Sequence, residues 1–106
     1  MGHTKRLVHT SEQNQLAETL KAMGHPARIA IIQYVADHPD AICTSMVQEM
    51  DLAQSTISQH LSELRRSGII QGRSIGKKMA YRINVDRLYE VKQTLNHFFN
   101  ATQQRS

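Results

Sequence analysis

The residues whose types and spacing point most directly to chemistry lie between Gln54 and Ser62. Gln54, Gln59 and His60 can each donate and accept hydrogen bonds, and Ser55, Thr56 and Ser58 carry short hydroxyl or amide-sized groups able to reach base edges or phosphates. Interleaved with them, Ile57, Leu61 and Leu64 recur four and three residues apart, which is the period of one buried helical face. From Gln54 to Ser62 the outward side of that helix lacks the Lys and Glu usual on a solvated surface and is made of neutral hydrogen-bonding groups. An α-helix fits the major groove of DNA, where such groups distinguish base pairs. A merely polar solvent face is the alternative reading of the same residues.

The second constellation is charge. Between Glu12 and Glu63 the acidic residues Glu12, Glu18, Asp37, Asp40, Glu49, Asp51 and Glu63 outweigh Lys21 and Arg28. From Leu64 to Arg87 the balance reverses, with Arg65, Arg66, Arg73, Lys77, Lys78, Arg82 and Arg87 opposed only by Asp86. A basic block on an otherwise acidic domain is the footprint of a phosphate-binding edge, and Arg73, Lys77 and Lys78 are its candidate contacts.

Other reactive groups are sparse. A single cysteine, Cys43, excludes an intrachain disulfide and a multi-cysteine zinc site within one chain. The six histidines show no ligand spacing. With Met1 removed, the amine of Gly2 and the imidazole of His3 can chelate a nickel-like ion, joined by His9, Asp86 or His97. An activated catalytic set is missing: there is no Gly-rich phosphate loop and no carboxylate pair with a plausible shared pocket, so enzymatic chemistry is not expected.

The elements that must position these groups can be read from periodicity and punctuation. At 106 residues, 40% of them hydrophobic, the chain fits one domain with one core. No apolar run approaches the roughly 18 to 20 residues that span a bilayer, and Lys5 and Arg6 are not followed by an apolar stretch, so a cytoplasmic protein without membrane attachment is expected. Residues 1–10 read as a flexible arm, 11–100 as the domain and 101–106 as a tail.

Thr10 and Gln13 form a capping box for a first helix near 11–23, and Gly24 stops it. Pro26 opens a second helix striped by Ile29, Ile32 and Val35, which ends before Pro39. Ser45 and Gln48 predict the start of a short third helix carrying Met46, Val47 and Met50. After a turn at 51–53 the fourth helix carries the candidate readers and stops at Gly68. The period then changes to two: Met79, Tyr81 and Ile83 alternate with Lys78, Ala80 and Arg82, and Ile69 to Ile75 supplies a partner strand across Gly76-Lys77. Asn84 caps a last helix, whose stripe of Leu88, Val91, Leu95 and Phe98, joined by Phe99, has nothing after it to cover it. An uncovered stripe predicts a homodimer seam; packing back onto the chain's own core is the alternative. The whole is a mainly α fold of five helices with a small β-hairpin wing, a winged helix-turn-helix.

Three segments, Leu20 to Ile29, Leu52 to Leu61 and Leu64 to Ile70, resemble in order the signature blocks of the ArsR-like (arsenic-repressor) family. With the hairpin ending at Tyr81-Arg82-Ile83 the resemblance covers about residues 12 to 100. It implies a homodimer through the first and last helices, with Leu16 and Leu20 meeting Leu88, Val91, Leu95 and Phe98. It also implies recognition helices in successive major grooves of an imperfect palindrome in double-stranded DNA, and repression commonly relieved by a ligand.

The chain departs from the pattern at the sensing sites. Metalloid-sensing members carry Cys-x-Cys where this chain reads Cys43-Thr44-Ser45. Zinc-type members carry Asp-x-His where it reads Asp86-Arg87-Leu88, with His97 and Asn100 further along. Soft metalloids need two or three sulfur ligands, and Leu88 cannot coordinate, so no metal or other cofactor is expected and the effector stays unassigned. Ala53 stands where the family commonly has a capping Ser. A nickel- or zinc-responsive repressor and a winged-helix module that binds protein instead of DNA are the competing readings.

Overall fold

A computed structural model describes residues 9–106. Within them, α1 (Ser11–Met23), α2 (Pro26–Asp37), β1 (Ala41–Ile42), α3 (Cys43–Met50), α4 (Gln54–Arg66), β2 (Ile70–Ile75), β3 (Lys78–Ile83) and α5 (Val85–Arg105) follow one another in the chain. Gly2 and His3 lie outside the described residues.

Local chemistry explains most of the boundaries. The Thr10 hydroxyl accepts from the Gln13 amide at 3.0 Å while the Thr10 amide donates to Gln13 Oε1 at 2.8 Å, so two orphan donors of α1 are satisfied reciprocally. α1 ends at Gly24, where a Cβ would sit only 2.8 Å from the Leu20 carbonyl oxygen. His25 caps α2 with its Nδ1, which accepts from the Ala27 amide at 3.0 Å, and Pro26 occupies the first turn. Asn84 caps α5 by accepting from the Arg87 amide at 3.1 Å.

Two boundaries differ from expectation. α3 begins at Cys43, two residues before Ser45, and its N-cap is Ile42 without a side-chain bond. The reason is β1, a two-residue strand that pairs Ala41 with Tyr81 and Ile42 with Ala80 and feeds the chain directly into the helix. α5 continues to Arg105, through the residues expected as a tail. Nothing between Ala101 and Arg105 breaks a helix.

β2 and β3 form an antiparallel hairpin in which Ile70 faces Ile83, Gly72 faces Tyr81 and Ile75 faces Lys78. Gly76 takes φ +61 at the turn, a left-handed conformation that glycine adopts without strain. With β1 the sheet has the order β1-β3-β2, so β3 is central. That position buries Ala80, which strict alternation assigned to the polar side: Ile42 and Arg73 flank it on the two neighbouring strands.

Ile31, Val35, Met46, Ile57, Leu61, Leu64, Ile69 and Ile70 are all less than 2% exposed and fuse α2, α3, α4 and the sheet into one core. Each such side chain contributes about 1.5–3 kcal/mol of burial. Val91 of α5 is also in this core, and Leu95 packs against it. The stripe on the last helix therefore does not lack a partner in its own chain. Val91 is only 4% exposed, so it cannot act as a free seam residue, whereas Leu20 and Phe98 remain 44% and 42% exposed.

Candidate nucleic-acid interface

The α3–turn–α4 unit is held by apolar contacts and leaves one side of α4 open. Ile57, Leu61 and Leu64 anchor α4 in the core, and Asp51, with φ +51, closes α3 in a left-handed turn that re-aims the chain. Opposite the anchors, Ser55, Gln59, Ser62 and Arg66 fall four, three and four residues apart and form the outward stripe. Gln54, Ser55, Thr56, Ser58 and Gln59 are all exposed. Ala53 offers no side-chain cap, so the first-turn amides of α4 stay available at the positive end of the helix. The Ser58 hydroxyl lies 3.6 Å from Cys43 Sγ, which ties the near side of α4 to the start of α3.

His60 does not belong to this stripe. It sits between Ile57 and Leu64 on the flank of the buried face, half-buried, with its Nδ1 accepting from Arg28 Nε at 3.1 Å. Its ring lies 4.5 Å from that of His25, centroid to centroid. Burial first, then the His25 and Arg28 charges, push its pKa below the ordinary imidazole range. His60 is thus a neutral tether between α2 and α4. Sequence reasoning had grouped it with the readers by residue type; its spacing from Ile57 and Leu64 was the signal against that assignment.

The hairpin separates its cations into two groups. Lys77 and Lys78 are exposed at the tip, beside Ile75, which is half exposed. Arg73 and Arg82 instead converge on Asp40: Arg82 makes a bidentate pair through Nε and Nη2, both at 2.9 Å, and Arg73 Nη2 approaches Oδ1 at 3.5 Å. Hydrogen bonding from Arg82 is the main reason the Asp40 carboxyl lies below the usual carboxylate range. One carboxylate offsets one of the two guanidinium charges, and its bidentate bonds go to Arg82, so Lys77 and Lys78 at the tip carry free charge and Arg73, at 3.5 Å from Asp40 and mostly exposed, is only loosely held.

Arg87, the last member of the basic block, is structural as well. Its guanidinium donates to the Ser67 carbonyl at 3.1 Å and to the Thr19 hydroxyl at 3.3 Å, joining α5 to the end of α4 and to α1. The residues that sequence reasoning left out of the site are Ser62 and Arg66 on the outward stripe and Arg65 beside the hairpin. Their helical offset from Ser55 and Gln59 could have found the first two.

No three His, Cys, Asp or Glu side chains come together among the described residues. Cys43 is a lone, half-buried thiol. Asp86 and His97 are eleven residues apart on α5, about 16 Å along a helix, too far to share an ion within one chain. Within one chain, therefore, these donors do not come together.

Comparison with known proteins agrees with this architecture. Residues 25–71 match the family described as bacterial regulatory protein, arsR family. An uncharacterized HTH-type transcriptional regulator of Methanocaldococcus jannaschii is 35% identical over 75 residues, 71% of this chain and 84% of that protein. The transcriptional repressor PagR of Bacillus anthracis is 35% identical over 80 residues, 76% of this chain and 80% of that protein. Its crystal structure superposes with a TM-score of 0.62 at 32% identity, covering 76% of this chain and 92% of the chain in that structure. An ArsR-like transcriptional regulator from Rhodococcus shares the fold with a TM-score of 0.77 at 20% identity, over 91% of this chain and 90% of that one. With its helix-turn-helix exposed and its hairpin basic at the tip, the chain belongs to the arsR family of bacterial regulatory proteins, a family of transcriptional regulators and not of enzymes.

Proposed function

We propose that the protein represses transcription as a homodimer that binds an imperfect palindrome in double-stranded DNA, acting in the cytoplasm. The observation that carries this reading is the outward stripe of α4: Ser55, Gln59 and Ser62 are exposed neutral hydrogen-bonding groups on a helix that is otherwise anchored in the core. Lys77 and Lys78 hold the phosphate backbone without reading sequence. Relatives named as repressors support the direction of regulation, among them PagR and a biofilm growth-associated repressor of Xylella fastidiosa that is 26% identical over 98% of this chain and 90% of its own length.

Support for the dimer comes from α1 and α5. Leu20, Phe98 and Phe99 are 44%, 42% and 55% exposed. Leu16 and Phe98 also line a groove of about 1020 Å³ between those helices, rimmed by polar side chains such as Gln15 and Thr94. Exposed apolar surface of this kind is stabilised when a second copy covers it. Val91 and Leu95 would then support the seam from beneath, with Leu16, Leu20, Leu88 and Phe98 closer to the partner.

Selection of bound duplexes from a randomised pool, with sedimentation of the same preparation, tests the reading. The expected result is a dimer at micromolar concentration that enriches a palindrome with half-sites about 10 to 10.5 base pairs, or a multiple, apart. A monomer that enriches no motif would overturn it.

A further inference from the structure

Of the arginines between Arg28 and Arg87, five have protein acceptors. Arg28 donates to His60 and to the Ala22 carbonyl, Arg66 pairs with Glu63 at 3.4 Å, Arg73 and Arg82 share Asp40, and Arg87 holds Ser67, Thr19 and Glu90. Arg65 has none among the described residues, yet it is placed. It leaves the last turn of α4 toward the inner face of the hairpin and lies against the backbone of Gly72, so close that a Cβ there would sit 3.0 Å from Arg65 Nε and 3.2 Å from Cζ. Gly72 is paired with Tyr81 in the middle of the hairpin, and the Arg65 charge is felt by the Tyr81 hydroxyl, whose pKa burial raises and Arg65 partly lowers. Gly72 has no positive φ that would require glycine. What its missing side chain provides is room for Met79 Sδ, 2.9 Å from that position, and for the Arg65 guanidinium.

An exposed guanidinium that lies beside the hairpin without a protein acceptor is free to meet an external anion. A cavity of about 700 Å³ adjoins it, lined also by Gln71, Asn84 and the Asp40, Arg73 and Arg82 cluster, in which two guanidinium groups outnumber one carboxylate. We propose that Arg65 is a phosphodiester-binding residue that joins the reading helix to the wing, with Gly72 as the position that lets it lie between them. The inference rests on the DNA-binding reading above. If α4 enters a major groove and the Lys77–Lys78 tip reaches the neighbouring minor groove, the backbone ridge separating the two grooves passes between α4 and the hairpin, where Arg65 stands. A planar, bidentate donor suits a phosphate there better than a point charge.

The test is a set of four proteins: wild type, Arg65→Ala, Gly72→Ala and the double variant. Each is titrated with the selected operator and with a random duplex between 50 and 200 mM salt, and thermal melts verify folding. Arg65→Ala should weaken both duplexes by the same factor, roughly ten for a lost charged hydrogen bond, and lower the salt slope by about 0.9. Gly72→Ala should act in the same direction, because its new methyl displaces Arg65; Met79 Sδ, which that Cβ would approach at 2.9 Å, is the movable end of a flexible side chain. In the Arg65→Ala background Gly72→Ala should add nothing.

An unchanged slope for Arg65→Ala would overturn the proposal, as would a loss confined to the operator. Equal losses from Gly72→Ala with and without Arg65 would show a general distortion of the wing and overturn the role of Gly72. Relief of DNA binding by inorganic phosphate beyond its ionic-strength effect would reassign the site to a small anion. A wild type without salt-dependent DNA binding would sink the functional reading itself, whereas a binding wild type with an Arg65→Ala variant of unchanged slope sinks this inference alone.

Discussion

Arg28 Nε donates to His60 Nδ1 at 3.1 Å, and the same guanidinium reaches the Ala22 carbonyl from Nη1 at 3.0 Å. One side chain thus joins the end of α1, the start of α2 and the middle of α4. An Nδ1 that accepts from arginine carries no proton, so the bond requires neutral His60. Its folded pKa is depressed, by burial first and then by His25 and Arg28. The stabilisation is therefore complete above the unfolded value of about 6.5 and is lost as pH falls through the folded value. Melting temperature should drop between pH 7 and pH 5 more steeply in wild type than in His60→Ala, and at pH 7 the substitution should cost about 1 kcal/mol. Parallel pH profiles for the two proteins would show that another group titrates.

Arg87 looked like part of a phosphate-binding edge and is a clamp. Its stem packs beneath Gly68, where a Cβ would lie 3.4 Å from Arg87 Cγ, and its head holds Ser67 and Thr19. Arg87→Ala should lower stability by about 2 kcal/mol in urea melts, since it removes two part-buried bonds and leaves a carbonyl without its donor. The salt slope of DNA binding should stay unchanged; a decrease of about 0.9 would return Arg87 to the phosphate contacts.

Asp40 governs how much of the wing's charge is free. It has φ +68, a conformation that asparagine tolerates, so Asp40→Asn removes the charge and keeps the turn. Its carboxyl is held below the usual range chiefly by hydrogen bonding from Arg82, so the pairing with Arg82 and Arg73 persists throughout the neutral pH range. Asp40→Asn should tighten binding to random duplex and steepen the salt slope by about 0.9 for each released arginine that reaches a phosphate. Unaltered binding would mean that Arg73 and Arg82 point away from the nucleic acid in either state.

Cys43 is a single thiol per chain beside Ser58, and Leu88 stands where a zinc-type ligand would be needed. An ion held by one or two side chains has little differential free energy with which to shift a dimer between DNA-competent and incompetent forms. Stoichiometric zinc, cadmium or arsenite should change operator affinity less than tenfold in chelator-stripped buffer, and Cys43→Ser should leave it nearly unchanged. Release by more than tenfold would contradict this. Release by nickel alone, abolished on removal of His3, would assign sensing to the N-terminal amine and imidazole.

The helices were legible because their ends are written in local chemistry: the Thr10–Gln13 box, Pro26, Gly68 and Asn84 each act within a few residues of where they stand. β1 was not legible, since two residues carry no period, and it exists only because Tyr81 and Ala80 arrive from forty residues away. Sequence separations of 33 and 32 residues hid the approach of Arg73 to Asp40 and the capture of His60 by Arg28. The exposed polar side of α4 was visible as an apolar stripe with polar residues opposite it. Residue type alone could not show which polar residues turn inward, and helical spacing from Ile57 and Leu64 does show it for His60. The burial of Val91 was hidden for a related reason: an amphipathic stripe reports that a face is covered, not by which chain, so both alternatives stayed open in the sequence.

If α4 reads bases while the wing tip holds the backbone, one paired measurement separates the two roles directly. Gln59→Ala and Lys77→Ala are titrated against the selected operator and a random duplex over a range of salt. Gln59→Ala should cost about 1–3 kcal/mol on the operator and little on random DNA, whereas Lys77→Ala should weaken both alike and lower the salt slope by about one. Equal losses on the two DNAs for Gln59→Ala would contradict the account, because the exposed stripe of α4 would then contact the backbone without reading sequence.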